Sequence, residues 1–174
     1  MESNMSKDNK KYWDQLKKTD PVFTKKVNKG FGEITTIDPM SQIMKMTEVF
    51  GPIGEGWNYK VEYKTTADLV FAEVKVAHKK LCTTGDTINM YEWDWYGPVC
   101  SVQKLWRKTG ALDDEAPKKA MTDALTKALS HLGTSADVFL GLHDNSKYVE
   151  NLKKEINETK IANASKLKIV KPTT

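Results

Sequence analysis

The sequence predicts an α+β fold: a three-stranded antiparallel meander and a short strand packed under a long helix, with helices ahead of them. Three observations predict it. Residues 115–133 place Met121, Leu125, Ala128, Leu129 and Leu132 on one side at helical spacing. Residues 57–64 alternate Trp57, Tyr59, Val61 and Tyr63 with Lys60, Glu62 and Lys64, the period of a half-buried strand. Strand-like runs then follow one another before the long helix, an order that gives layered α+β domains rather than alternating β-α units. At 174 residues the chain is long enough for one substantial core and short for two.

Each element has its own local reason. Residues 8–29 read as helical, with Tyr12, Trp13, Leu16, Val22 and Phe23 as apolar positions and a break at Asp20-Pro21. Lys25 to Gly32 runs into a loop, where Gly30 and Gly32 permit backbone angles that other residues avoid. Glu33 to Ile37 is a short β segment. Asp38 before Pro39 opens a helix, Ile43, Met46, Thr47 and Phe50 form its apolar stripe, and Gly51 closes it. Leu69 to Val76 is a second, mostly apolar strand, and Thr83 to Asp86 is turn material. Thr87 to Tyr96 is the third, with Tyr91, Trp93 and Trp95 on one face; such a stripe is expected to be core beneath a helix. Gly97-Pro98 ends it, Val99 to Trp106 follows, and residues 108–110 lead to the long helix.

That helix has Asp113 or Asp114 as its cap, Pro117 in the first turn and Gly133 at its left-handed close. Thr122, Thr126, Ser130 and Lys119 occupy the side away from the core. Lys127 and His131 lie on a thin flank beside Ala116, Ala120 and Ala124, with room for a neighbour to approach the backbone. From Leu142 onward the chain is polar with little to bury, and disorder is expected from Lys166 to Thr174. The organisation read from this is a basic helical segment over 1–19, a core over 20–142 and a lysine-rich tail over 143–174.

Charge narrows the chemistry. The net charge is +4, yet residues 1–30 hold eight lysines against four acids and residues 143–174 seven against four, leaving −3 between them. Any phosphate contact must therefore come from local clusters: Lys25/Lys26/Lys29, Lys75/Lys79/Lys80 and Lys104/Arg107/Lys108. Of 27 basic residues only Arg107 is arginine. Arginine reads guanine edges with its planar fork, whereas lysine acts as a point charge on phosphate, so a nucleic-acid partner would be held by its backbone. Cys82 and Cys100 lack the spacing of a metal site and read as reduced thiols of a cytoplasmic protein. The polar start carries no secretory pattern, and no apolar run is long enough for a bilayer.

Enzymatic readings are weaker. Asp113-Asp114-Glu115 has the acids of a divalent-metal site such as nucleases use, but acids in a first helical turn are accounted for by the helix dipole. His78, His131 and His143 have no partner spacing for a triad or zinc. Residues 51–56 are glycine-rich, but Pro52 and the strand that follows make them a turn, and no GxxxxGK[ST] phosphate loop is present. No cofactor, metal or catalytic residue is expected.

Three blocks in order resemble the Rad-fifty-two-like single-strand annealing proteins, including the Sak-type recombinases of bacteriophages. They are Thr47-Glu-Val-Phe-Gly51 leading to Gly56-Trp57, the meander with a glycine turn near Gly85, and the run from Lys118 to Gly133 with its Ala-Met-Thr-Asp-Ala-Leu core. The resemblance covers about residues 20–142. It implies a homo-oligomeric ring whose subunits bind single-stranded DNA in a groove and anneal it to a complementary strand without ATP, in recombination and repair. On the inner groove it implies Lys26, Thr126, Lys127 and Ser130, with Lys25 and Lys29 making up charge that Thr126 and Ser130 lack. On an outer path it implies Lys79 or Lys80 and Arg107, with Lys108 beside it. A host single-strand-binding protein is a further candidate partner. The rival reading is a plain coating module, in which Tyr91, Trp93 and Trp95 would stack on bases; a structural assembly protein that binds no DNA is a third.

Overall fold

A computed structural model describes residues 10–28, 30, 32–84 and 88–169. Its elements in order are helix α1 (Lys11–Leu16), a 3-10 turn (Pro21–Phe23), strands β1 (Thr24–Asn28) and β2 (Glu33–Ile37), and helix α2 (Pro39–Phe50). Strands β3 (Trp57–Thr65), β4 (Leu69–Thr84) and β5 (Ile88–Lys104) follow, then helices α3 (Ala116–His131) and α4 (Ala136–Phe139). A 3-10 turn (Leu142–Asp144) leads into the last helix, α5 (Ser146–Ile169). The α+β class and the three-stranded antiparallel meander β3-β4-β5 are as expected.

The short strand is not alone. Residues 24–28 form β1 instead of continuing a helix, and they pair antiparallel with β2 from Thr24↔Ile37 to Asn28↔Glu33. A solitary strand would leave its backbone N–H and C=O groups without partners, so Glu33–Ile37 needs this neighbour. The Asn28 side chain helps turn the hairpin by accepting from the Gly30 N–H at 2.9 Å.

Two other expectations change. Gly97-Pro98 does not end a strand: β5 runs through it as a bulge, with Val74 opposite Val99 and Val76 opposite Tyr96. Proline is tolerated there because β5 is an edge strand, where a missing N–H removes no sheet bond. A Cβ on Gly97, at φ +98°, would come 2.9 Å from the Val74 carbonyl oxygen. Nor does disorder begin at Lys166. Helix α5 reaches Ile169, buries Leu152, and ties back through Lys160 to Asp20 at 3.2 Å. Residues 170–174 lie outside those described.

Helix α3 lies across β4 and β5 and supplies much of the core. Its alanine flank of Ala116, Ala120 and Ala124, expected to be open to a neighbour, belongs to the buried face: these three are each 0% exposed, as is Ala128, which was expected in the core. Small side chains at every fourth residue form one ridge, so the helix backbone sits close over Val70, Ala72 and Val74. Leu125 and Leu129 are buried as expected, while Met121 and Leu132 are only half-buried. Expectation and structure also differ at the cap. Glu115 precedes the helix without a side-chain cap, and Asp113 accepts from the Glu115 N–H at 3.3 Å.

Helix α2 starts as predicted, with the Asp38 side chain accepting from Met40 N–H at 3.0 Å, and ends at Gly51. Its Thr47 hydroxyl lies 3.4 Å from the indole nitrogen of the fully buried Trp57. Phe50 stacks on His78 at 4.9 Å with Tyr12 of α1 tilted against both. Gly133, at φ +100°, is needed twice: a Cβ there would also sit 2.8 Å from the Trp13 ring. Among the described residues no helix is long and apolar enough to cross a membrane.

Candidate nucleic-acid interface

An open groove of about 720 Å³ runs between the β1–β2 hairpin and α3. Hydroxyls line it from both sides: Thr35 and Thr36 from β2, Thr122 and Thr126 from α3. Lys118 and Lys119 belong to its wall, and Lys25 and Lys26 are the cross-strand partners of Thr36 and Thr35. Apolar side chains of Ile34, Ile37, Val138 and Phe139 complete it. Asp123 and Asp144 place carboxylates in the same groove, where Thr35 donates to Asp144 at 2.7 Å. Of the expected inner site Thr126 lines this groove, whereas Lys25 and Lys26 do not; as neighbours on β1 they point to opposite faces of the hairpin.

Lys127 and Ser130 lie farther along α3 and do not line this groove. Lys127 pairs with Asp123 at 2.7 Å, and the Ser130 hydroxyl donates to the Lys127 carbonyl, which occupies its proton within the helix. Lys26 pairs with Glu33 at 3.2 Å. Lys29 lies outside the described residues.

The outer set divides. Lys79 and Lys80 are neighbours on β4, so their side chains point to opposite faces of the sheet. Lys79 shares a face with its partner Trp93, and Lys80 shares the other with Glu92. Arg107 is held at the start of α3 by Asp113 at 3.1 Å and Asp114 at 3.0 Å, while Lys119 reaches Asp113 at 2.8 Å. The hydrogen bond from Lys119, with that from Arg107, holds the Asp113 carboxyl below the usual carboxylate range. The acidic cluster is thereby committed to a basic pair, and among the described residues no group of His, Cys, Asp and Glu is arranged to hold a metal. Lys108 is exposed beside it.

A second surface was expected to be core. The face of the meander away from α3 carries Tyr91, Trp93 and Trp95 along β5, and no described element covers it. Tyr91 is 67% exposed and Trp95 36%. Lys60 of β3 lies over the Trp95 ring at 4.7 Å, and Lys79 lies over Trp93 at 5.6 Å and Tyr91 at 5.9 Å. Lys75, the β4 partner of Lys60, is exposed on the same face. Lys64 there pairs with Glu73 at 2.7 Å, which raises the lysine's proton affinity. Lys60 and Lys64 were missed as site residues because they read as the solvent side of a strand; only the register brings Lys60 to Lys75 and the tryptophans.

The histidines have structural surroundings. His78 stacks in the Phe50 cluster, and buried His143 lies 3.0 Å from Asp137, which also accepts from Thr19 N–H, the Thr19 hydroxyl and Tyr148 OH. No protein-family model matches the chain, and no curated protein matches it either.

Proposed function

We propose that this protein binds single-stranded DNA by its phosphates, without regard to sequence, and anneals complementary strands without ATP, working in the cytoplasm as a subunit of a homo-oligomeric ring. The observation that carries the reading is the hydroxyl-lined groove, with Thr35 and Thr36 on the hairpin side and Thr122, Thr126, Lys118 and Lys119 on the helix side. Threonine hydroxyls and lysine ammonium groups suit phosphate oxygens and carry no base preference. The one arginine, the residue suited to reading base edges, is held by two aspartates.

The lysine–carboxylate pairs do not oppose this. Lys26–Glu33 and Lys127–Asp123 are exposed pairs. Such pairs are worth about 0–1 kcal/mol, so a phosphate can replace the carboxylate at small cost. Each replacement releases counterions from the strand, which makes affinity fall as salt rises. Base pairing between strands supplies the free energy of annealing, and a strand held by its backbone keeps its base edges available. The ring rests on the family resemblance, and β3 and β5 are the edge strands at which subunits would meet.

The test mixes two complementary labelled oligonucleotides with the protein in a salt series without nucleotide or magnesium. Annealing should accelerate at low salt and fade as salt rises. Replacing both Lys118 and Lys119, the lysines that line the groove, by alanine should flatten the plot of log affinity against log salt by about 0.7 per lost phosphate contact. An unchanged slope and affinity would remove the groove from the mechanism. The exposed aromatic stripe favours a second reading, a coating module, which would bind without accelerating annealing.

A further inference from the structure

We propose that the uncovered sheet face is a base-stacking track for single-stranded DNA, in which Tyr91, Trp93 and Trp95 receive bases while Lys60, Lys75 and Lys79 take the phosphates. The proposal rests on the single-stranded DNA reading given above and adds to it a second surface with different chemistry. In the groove hydroxyls and lysines meet the backbone; on this face rings meet bases.

Geometry supports an extended strand. Trp93 and Trp95 have ring centroids 6.5 Å apart with planes 41° from parallel. That is about twice the ~3.4 Å rise per nucleotide of a strand in duplex DNA, so bases seated on successive rings are pulled off one another. From Tyr91 to Trp95 the strand covers about 13 Å, room for roughly three bases at the ring spacing. Stacking uses the flat face of a base and leaves its pairing edge free, so a strand held here is open to a complement.

Energetics favour the exchange that binding requires. Lys60 and Lys79 now lie over the rings. An exposed cation–π contact is weaker than the stacking of a base on an aromatic side chain. A base therefore displaces the ammonium, which swings from the ring to the adjoining phosphate and gains a charge partner. A second copy of the same face is a poor occupant. Its lysines would oppose these lysines across a closed interface, where like charges without water repel strongly.

The experiment compares an oligothymidylate with an abasic oligonucleotide of equal length by fluorescence anisotropy, using the full chain and its Trp93→Ala, Trp95→Ala and Trp95→Phe variants. The wild type should bind the oligothymidylate more tightly than the abasic strand. Each alanine variant should lose roughly fivefold to a hundredfold for the oligothymidylate, the equivalent of one stacked base, and little for the abasic strand. Trp95→Phe should restore most of the loss, which shows that a ring rather than the fold is at issue. Equal binding of the two oligonucleotides by the wild type overturns the track and leaves the phosphate groove standing. Wild-type DNA affinity in the alanine variants with a changed molecular mass assigns the face to another subunit and overturns the track. No binding of either oligonucleotide at low salt overturns both this proposal and the function on which it rests.

Discussion

Replacing Asp137 by alanine should remove a large part of the protein's stability. The Asp137 carboxylate, 2% exposed, accepts from Thr19 N–H at 2.9 Å, Thr19 Oγ1 at 2.8 Å and Tyr148 OH at 3.0 Å, with His143 Nε2 at 3.0 Å. Thr19 and His143 are themselves buried, so alanine leaves three buried donors without an acceptor. His143 has no alternative through its other ring nitrogen, because Nδ1 has no partner among the described residues. Each abandoned donor costs about 1–3 kcal/mol, and with some relaxation the total is about 3–6 kcal/mol. A domain of this kind has about 5–15 kcal/mol in all. With a urea m-value of about 2 kcal/mol/M, the midpoint should fall by roughly 1.5–3 M, read by far-ultraviolet circular dichroism. Asp137→Asn should lose less, since its amide keeps one acceptor but turns an N–H toward Thr19 or Val138. A loss below about 1 kcal/mol for the alanine variant would refute the reasoning, because the donors would then have found other partners.

Gly133→Ala combines a φ of +100° with a Cβ 2.8 Å from the Trp13 ring, and should lower thermal stability by more than the ~1 kcal/mol of a simple left-handed alanine. A melting temperature equal to the wild type would show that α1 does not pack there. Tyr96→Phe should hold or raise stability by up to about 1 kcal/mol, because the Tyr96 hydroxyl is buried without a partner among the described residues, and burial, with the Asp94 carboxylate, pushes its proton affinity up. A clear loss in urea titration would reveal a bond to that oxygen. The Asp113 carboxyl is held below its ordinary range when folded, so its contribution is present above the ordinary carboxylate pKa and is lost as pH falls through the lowered value. Asp113→Asn should therefore flatten the acid side of the stability profile, and an identical acid slope would count against the Lys119–Asp113–Arg107 network.

Local chemistry was legible in the sequence wherever a few adjacent residues decide the outcome. Asp38-Pro39 opens α2, Gly51 closes it, and the alternation from Trp57 marks β3, because caps, proline and period two act over short spans. What depends on distant partners was not legible. Thr24–Asn28 becomes a strand because Glu33–Ile37 lies beside it, and Gly97-Pro98 stays inside β5 because that strand has an empty side. On α3 the hydrophobic spacing named Met121 and Leu132, yet the sheet selects the alanine ridge, since closeness of approach outweighs side-chain size. The same limit applies to the candidate surfaces. Lysine clusters can be read along the chain, but that Lys79 shares a face with Trp93 while Lys80 does not follows only from the strand register.

The bond from Thr19 to Asp137 joins residues 118 positions apart, and Ser135 N–H closes on the Leu16 carbonyl beside it. At about 5–20 residues per second, a ribosome needs roughly 6–24 s to make the chain between them. For that interval Trp13 and Leu16 have been synthesised but lack the Gly133–Ser135 surface that receives them. The sheet and α3 can assemble first from closer pieces, and the α1 segment joins only afterwards, at the loop-closure cost of its long separation. A newly made chain therefore passes through a stage with Trp13 and Leu16 still in water, when it is most open to proteases and to aggregation.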